Sequence, residues 1–172
     1  MSLIKIAEAN ITTAQSSVTL TGFTTDYPVY WLICSNMESD NSAFQHIQMQ
    51  YTVSGSADTS AYYYYAQQNQ DANGNIYTGG AGTATSISIT NQIDSDNNGF
   101  SDYELYIFNP AKSDEFTYST YEGIDLRREA VVAFGRKGGF FHRSNTAHDG
   151  VKFFGESGYN IKGHFILYAL VV

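Results

Sequence analysis

The sequence contains little cysteine and little proline, and each shortage excludes a class of protein. Among 172 residues there are one cysteine and two prolines. A single cysteine excludes an internal disulfide framework and a metal site built from several thiolates. Cys34 stands in an apolar run, where a thiol is usually a small buried hydrophobe. Because no proline-rich linker divides the chain, we expect one domain over residues 1–172, with residues 1–15 as an N-terminal arm.

Positive charge is scarce in the first two thirds of the chain. Residues 1–110 carry ten acidic side chains against one basic side chain, Lys5, and the whole chain has a net charge of −8. An acidic surface repels phosphate backbones, so we expect no nucleic-acid partner. Solubility is the ordinary explanation of such a charge.

Long hydrophobic runs are also missing. The amino terminus lacks the apolar stretch of a signal peptide, so we expect a product assembled without export by a cleavable signal. Residues 165–172 are apolar but far short of the roughly 20 residues that span a bilayer. They predict a buried final strand, and no membrane partner is expected.

Recognisable catalytic motifs are absent from the sequence. It contains no G-x-S-x-G, no H-E-x-x-H and no phosphate-binding glycine loop. The carboxylates of Asp114 and Glu115, or those of Glu122 and Asp125, could serve a glycosidase only at a separation in space that sequence does not give. Four histidines are dispersed, with no spacing that indicates a shared metal: His46, His142, His148 and His164. We therefore expect a non-enzymatic protein.

What the sequence does contain is alternation. It is 42% apolar and 15% aromatic. Period-two runs recur at intervals of about 10–15 residues, separated by Gly, Asn, Asp and Ser, which predicts an all-β, antiparallel β-sandwich. Strands are predicted near residues 17–23, 29–37, 44–53, 61–67, 85–90, 103–109, 115–123, 130–136, 139–143, 151–155 and 163–170. We predict one helical turn at 123–129 and a long excursion between strands at 71–82.

A Gly-Gly pair marks a second predicted feature. Gly138 and Gly139 separate two apolar runs, which suits a tight hairpin turn with positive φ. Basic residues surround this predicted turn: Arg136, Lys137, His142 and Arg143. They could bind an acidic neighbour, including the acidic half of another copy, or they could be solvated charge that guards a sheet edge.

A calcium-loop pattern occurs at residues 94–102, DSDNNGFSD. The candidate ligands are Asp94, Asp96, Asn98 and Asp102, because Ca²⁺ prefers hard oxygen ligands and the glycine allows a sharp turn. The twelfth position is Leu105, so the usual bidentate acid is absent, although Glu104 is adjacent. The alternative interpretation is an Asn/Asp-rich turn that needs no metal.

Four consecutive tyrosines stand at residues 62–65. On a strand, alternate side chains point to opposite faces, so one pair could fill the core while the other contacts a subunit or a ligand. We take Tyr63 and Tyr65 as the candidate exposed pair. Core packing and subunit contact are favoured over a sugar-stacking platform, since aromatic residues dominate both kinds of packing.

Several strand-and-turn segments resemble those of one family of proteins. Residues 163–170, GHFILYAL, are similar to a terminal G-x-F-x-L-Y-G-L motif, with Ala169 where glycine is usual. Residues 16–23, 30–36, 48–56, 54–60 and 105–110 carry further similarity. In these segments the chain resembles small β-sandwich virion proteins of tailed bacteriophages, marine ones especially.

The resemblance implies a jelly-roll-like, non-enzymatic structural protein of a phage virion, assembled in the host cytoplasm. It implies partners of two kinds: copies of the chain, as a homotrimer, and other capsid or tail proteins. A capsid decoration, a head-fibre knob and a tail-associated domain all fit, since the chain shows no repetitive shaft or coiled-coil stalk. The alternative is a carbohydrate-binding host-attachment module of a tail fibre, assisted by calcium, whose partner is a host surface glycan.

Overall fold

Alternating polar and apolar residues form β-strands along most of the chain that the structure describes. The structure is a computed structural model, and it describes residues 2–40, 45–91, 93, 100–127 and 132–171. Its strands are β1 (Ser2–Gln15), β2 (Ser17–Thr21), β3 (Val29–Ser39), β4 (Ile47–Val53), β5 (Ser56–Ala57), β6 (Tyr63–Asp71), β7 (Ile76–Ala84), β8 (Ile87–Ser88), β9 (Ser101–Phe108), β10 (Thr117–Arg127), β11 (Val132–His142), β12 (Gly150–Gly155) and β13 (Ile161–Val171). A 3₁₀ turn, Glu156–Gly158, precedes β13. Within the described ranges, no helix is long and apolar enough to cross a membrane.

The strands form two antiparallel sheets. The larger sheet has the order β1-β13-β3-β9-β10-β11-β6-β7. The smaller sheet has the order β2-β12-β4-β5, and β8 also pairs with β4. The prediction of an all-β, antiparallel β-sandwich is confirmed.

Four strand pairs are nested in the order of a jelly roll. Strand β1 pairs with β13, β2 with β12, β3 with β9 and β4 with β8. Each pair lies inside the previous one along the chain, so a long two-stranded ribbon folds across both sheets, as in a jelly roll. The predicted jelly-roll-like fold therefore follows from the strand order itself.

Two insertions widen the larger sheet beyond the four jelly-roll strands. One insertion, between β4 and β8, contributes β5, β6 and β7, and the other, between β9 and β12, contributes β10 and β11. Strand β11 pairs with β6, and β10 pairs with β9, so both insertions extend the sheet in one direction. The outer face of this enlarged sheet carries the candidate site described below.

The core lies between the two sheets. The rings of Phe153 on β12 and Phe165 on β13 stack with their centroids 5.0 Å apart, which joins the small sheet to the large one. Leu32, Leu105 and Leu167, on three adjacent strands of the larger sheet, are fully buried. Complete burial of each such side chain contributes about 1.5–3 kcal/mol to the free energy of unfolding, so this apolar core is a major source of the stability of the fold.

Three sequence-based predictions of local structure are wrong. The predicted N-terminal arm is strand β1, which pairs with β13 along its length. The predicted helical turn at residues 123–129 is strand as far as Arg127, because β10 pairs with β9 and β11 on both sides. The predicted excursion at 71–82 is a hairpin, in which β7 pairs with β6.

The Gly-Gly pair is not a turn, and this prediction too is wrong. Gly138 and Gly139 lie within β11, which runs unbroken from Val132 to His142, and neither has a positive φ. A Cβ atom on Gly138 would lie 2.7 Å from the Ala66 carbonyl oxygen and 2.8 Å from the Tyr121 ring. Gly138 is therefore needed because the ring of Tyr121 approaches the backbone, and not for its conformational freedom.

Candidate functional site

A row of apolar side chains crosses the outer face of the larger sheet. The register aligns one residue on each of seven adjacent strands, in the order Leu3, Leu170, Val29, Phe108, Tyr118, Phe141 and Tyr64. None of these side chains is buried, and Tyr118 is 50% exposed. At a strand spacing of about 4.8 Å the row is roughly 29 Å long. We call it the aromatic row.

A second set of rings lies beside the aromatic row on the same face. Trp31 stacks on Tyr106 with ring centroids 6.1 Å apart and packs against Tyr168 at 5.8 Å. The Trp31 indole N–H donates to Glu104 Oε2 over 2.9 Å, and this hydrogen bond fixes the orientation of the ring. Two adjacent rows thus make a continuous apolar band.

Small residues open a groove within this band. Phe141 stacks on Tyr64 at 5.1 Å and packs on Tyr118 at 6.0 Å. Next to these rings lie Ala66, Thr120 and Gly139, whose short side chains leave a cavity of about 470 Å³. The groove therefore has aromatic walls and a floor formed by backbone, and it can take a flat apolar group or a sugar ring.

The four tyrosines divide between the two faces, but not as predicted. Tyr63 is fully buried, and its hydroxyl accepts from the Tyr51 N–H over 2.8 Å and donates to the Asp58 carbonyl over 3.1 Å. Tyr65 is half-buried and packs against the core, and both Tyr64 and Tyr65 line the groove. The prediction of an exposed pair is therefore wrong for Tyr63, since the inward face of β6 takes the odd-numbered residues.

The predicted basic cluster is also divided by the sheet. Arg136 is 3% exposed, and it donates to the Ser88 carbonyl over 2.8 Å and to Gln67 Oε1. Lys137 and Arg143 are exposed, and Arg143 donates to the Tyr64 hydroxyl over 3.1 Å. The prediction of one exposed basic tip is wrong because adjacent residues of β11 point to opposite faces, so Arg136 cannot contact a neighbouring subunit.

Most of the predicted calcium loop lies outside the described residues. This holds for Asp94, Asp96 and Asn98, so a calcium site there stays a prediction. Asp102 lies on β9, where its Oδ1 accepts from the Asn36 N–H over 2.7 Å.

Asp125, which the sequence analysis pairs with Glu122 as a possible glycosidase site, is a buried carboxylate. Glu122 is exposed on the outer face, whereas Asp125 is fully buried on the inner face. Ser101 Oγ and Tyr103 OH each donate to Asp125 over 2.6 Å, and the Asn91 N–H donates over 2.9 Å. Burial raises the pKa of Asp125, although these hydrogen bonds oppose the shift. The glycosidase arrangement considered for Glu122 and Asp125 does not form, because the sheet separates them.

A second polar cluster joins three residues that are distant in sequence. Asp58 follows β5, His142 ends β11, and His148 lies in the loop before β12. Asp58 Oδ2 is 3.4 Å from His142 Nε2 and 4.0 Å from His148 Nε2. The His142 and His148 rings are perpendicular, with centroids 4.8 Å apart, and both are buried. We call these residues the Asp-His-His cluster.

The charges of this cluster follow from its burial. Burial, together with a smaller contribution from the neighbouring His142, lowers the pKa of His148 to about 4. Burial also lowers the pKa of His142, and Asp58 offsets this only in part. Burial would raise the pKa of Asp58, but hydrogen bonds from Ser60 and the two imidazoles together lower it. At neutral pH the cluster is one carboxylate facing two neutral imidazoles.

Ser60 gives the cluster the composition of a Ser-His-Asp triad without the geometry of one. Ser60 Oγ lies 3.2 Å from His142 Nε2, and Asp58 lies against the same nitrogen. In a triad the carboxylate holds the opposite ring nitrogen, so that the imidazole can take the proton of the hydroxyl. In this arrangement His142 cannot take the Ser60 proton and be stabilised by Asp58 from the other side.

Neither the aromatic row nor the Asp-His-His cluster could be identified from sequence spacing. Each residue of the row comes from a different strand, and the two histidines of the cluster are brought to Asp58 by the end of β11 and by the loop before β12. No protein-family model matches the chain, and no curated protein matches it.

Proposed function

We propose that this chain is a non-enzymatic structural subunit of a phage particle that assembles with copies of itself through the apolar band. The observation that carries the proposal is the aromatic row, which leaves a flat apolar strip about 29 Å long on a sheet face. Exposed apolar patches of this kind commonly mark interaction sites. The strip's aromatic content is typical of the centre of protein interfaces.

The fold and the sequence resemblance support the proposal that the chain belongs to a phage particle. Jelly rolls occur in viral capsid proteins and in lectins, which is an analogy of fold and not of chemistry. The segment that resembles the terminal motif of phage virion proteins is β13, which lies between β1 and β3 in the jelly-roll part of the sheet. A trimer is the assembly that the resemblance implies.

Replacing Tyr118 by glutamate is expected to break the assembly into monomers. The side chain is half exposed between Phe108 and Phe141 in the row, so the substitution places a charge in the interface at little cost to the folded monomer. The measurement is the oligomer mass by native mass spectrometry or light scattering. Ile124→Glu is the matched control, because Ile124 is 51% exposed on the same strand, β10, and pairs with Gly135 and Asp102 outside the band.

Two outcomes would contradict the proposal. A wild-type chain that stays monomeric at about 100 µM would contradict self-assembly, as would an oligomer that Tyr118→Glu leaves intact.

The proposed place of the chain in a phage particle is tested separately, by gold-labelled antibody against this chain on intact particles of the virus that encodes it. Label on the head favours a decoration or head fibre, label on the tail favours a tail domain, and no label contradicts the virion assignment.

The groove favours one second candidate, a carbohydrate-binding module for host attachment. Its aromatic walls suit the apolar face of a sugar ring, and the Arg143 guanidinium beside Tyr64 can bind hydroxyl groups at its edge. A glycan array with the wild-type chain tests this function. Binding that is lost in Phe141→Ala supports it, and an array without signal from a correctly assembled oligomer contradicts it.

A further inference from the structure

The Asp-His-His cluster contains two buried nitrogens, His142 Nδ1 and His148 Nε2, that no other residue the structure describes satisfies. His148 is 1% exposed, and its Nε2 has no hydrogen-bond partner within the described ranges. The closest acceptor, Asp58 Oδ2, lies 4.0 Å away, which is too far for a hydrogen bond. Buried polar groups are rarely left unpaired, so this nitrogen needs an explanation.

The other ring nitrogen of His148 indicates which way its lone pair points. His148 Nδ1 lies 2.9 Å from Thr117 Oγ1, and this hydroxyl can accept the Nδ1 proton. In that tautomer Nε2 carries a lone pair, which is directed toward the carboxylate of Asp58. Two electron-rich atoms facing each other in a buried site are stabilised by a cation between them. Metal-binding histidines are usually oriented in this way, by a hydrogen bond from the nitrogen that does not ligate.

We propose that Asp58, His142 and His148 bind a divalent transition-metal ion, with Zn²⁺ as the best match. Their three ligand atoms all lie within 4.8 Å of one another. The 3.4 Å separation of Asp58 Oδ2 from His142 Nε2 is close to the edge of a tetrahedron with bonds of about 2.0–2.1 Å. The 4.0 Å separation from His148 Nε2 closes with a shift of about half an ångström, and the widest separation in the set, up to 4.8 Å, closes with a shift of up to about 1.4 Å, so ion binding requires the side chains to move together.

The chemistry of the ligands selects the class of metal. Two neutral imidazoles and one carboxylate suit zinc and cobalt, whereas calcium and magnesium prefer sites made of oxygen alone. Ser60 Oγ, 3.2 Å from His142 Nε2, or a water molecule can occupy the fourth position. The ion joins the segment after β5 to the loop before β12, so its role is to fix these loops to the end of β11. The site is independent of the proposed assembly.

Zinc titration of the metal-free chain tests this proposal. The chain, carrying no polyhistidine tag, is stripped with a chelator and titrated with ZnCl₂ by calorimetry. One ion per chain is expected, together with a rise in melting temperature of about 5–10 °C at a hundredfold excess over Kd. Co²⁺ in place of zinc is expected to give the visible absorption of a four- or five-coordinate site.

Variants separate this site from other histidines. His148→Gln and Asp58→Asn are each expected to weaken zinc binding by at least about tenfold and to remove the cobalt spectrum. His164→Gln is the control, because His164 is partly exposed and bonds Glu8 over 2.8 Å on the far side of the sheet. If His148→Gln fails to fold, Asp58→Asn decides, because the Asp58 side chain is partly exposed. Absence of zinc binding by the wild type, or binding that folded Asp58→Asn retains, would overturn the proposal.

Discussion

Replacement of Asp125 by alanine is expected to lower the free energy of unfolding by about 3–6 kcal/mol, because two buried hydroxyl donors and one partly buried N–H donor lose their acceptor at once. Ser101 and Tyr103 donate their hydroxyl protons to this carboxylate, and the Asn91 backbone donates its N–H. An unpaired buried donor costs about 1–3 kcal/mol, and the cavity left by the carboxylate adds to this loss.

Urea unfolding followed by circular dichroism measures this effect. Glu122→Ala is the matched control, since Glu122 lies on the same strand and is exposed on the opposite face. Its loss should stay within about 0.5 kcal/mol. Asp125→Asn should fall between the two, because it keeps one acceptor oxygen and replaces the other by a donor. If Asp125→Ala proves as stable as Glu122→Ala, the buried hydrogen bonds do not contribute as the geometry indicates.

The strands that could be predicted from sequence are those with one buried face. In β3, β9 and β13 burial alternates along most of the strand. Their sequence signal is nevertheless the apolar run, because many of the outward side chains of these strands are apolar as well. Strand β7 lacks this signal. It lies at the edge of the larger sheet and nearly all of its residues are exposed, so backbone pairing with β6 holds it without a periodic pattern of side chains.

Gly138 shows why a turn signal failed. Two adjacent glycines predict a turn because glycine adopts positive φ, yet here one of them makes room for the Tyr121 ring on a neighbouring strand. The sequence of β11 contains no information about that ring. The same limit applies to Arg136, which donates to Gln67 on β6 of the other insertion and to the Ser88 carbonyl on β8.

The candidate sites depend on register, and register depends on the whole fold. Tyr118 and Phe141 are neighbours because β10 and β11 pair at that position, and a shift of one residue would move both rings to the core. The sequence shows the two histidines, His142 and His148, but it does not indicate that Asp58 lies next to both, because Asp58 belongs to a different insertion. Sequence spacing could therefore suggest neither the band nor the cluster.

The two faces of the larger sheet together make the case for a partner. One face is packed against the smaller sheet, and the other carries rings such as Trp31, Tyr106 and Phe141. An antiparallel sheet with one solvated face normally has polar residues there. An apolar outer face on a chain with net charge −8 favours a contact made by shape and apolar burial rather than by charge attraction between copies.

Acidification of the metal-free chain is expected to remove about 3 kcal/mol of stability between pH 6.5 and pH 4, with His148 as the main source. Burial lowers the pKa of His148 to about 4 in the folded chain, whereas an unfolded histidine has a pKa near 6.5. Between these values the unfolded chain binds a proton that the folded chain excludes, so stability falls as the pH falls. Above pH 6.5 both states are neutral, and well below pH 4 both are protonated, which confines the change to this window.

The groups around His148 determine what else titrates with it. His142 adds to the loss, because burial lowers its pKa too, whereas the pKa of Asp58 lies below the window and Asp149 opposes the shift of His148. Urea unfolding at a series of pH values in chelator measures the slope, and His148→Gln should remove most of it. Parallel curves for the wild type and His148→Gln would mean that the buried imidazole does not control acid stability, because only a group with different pKa values in the two states can produce the slope.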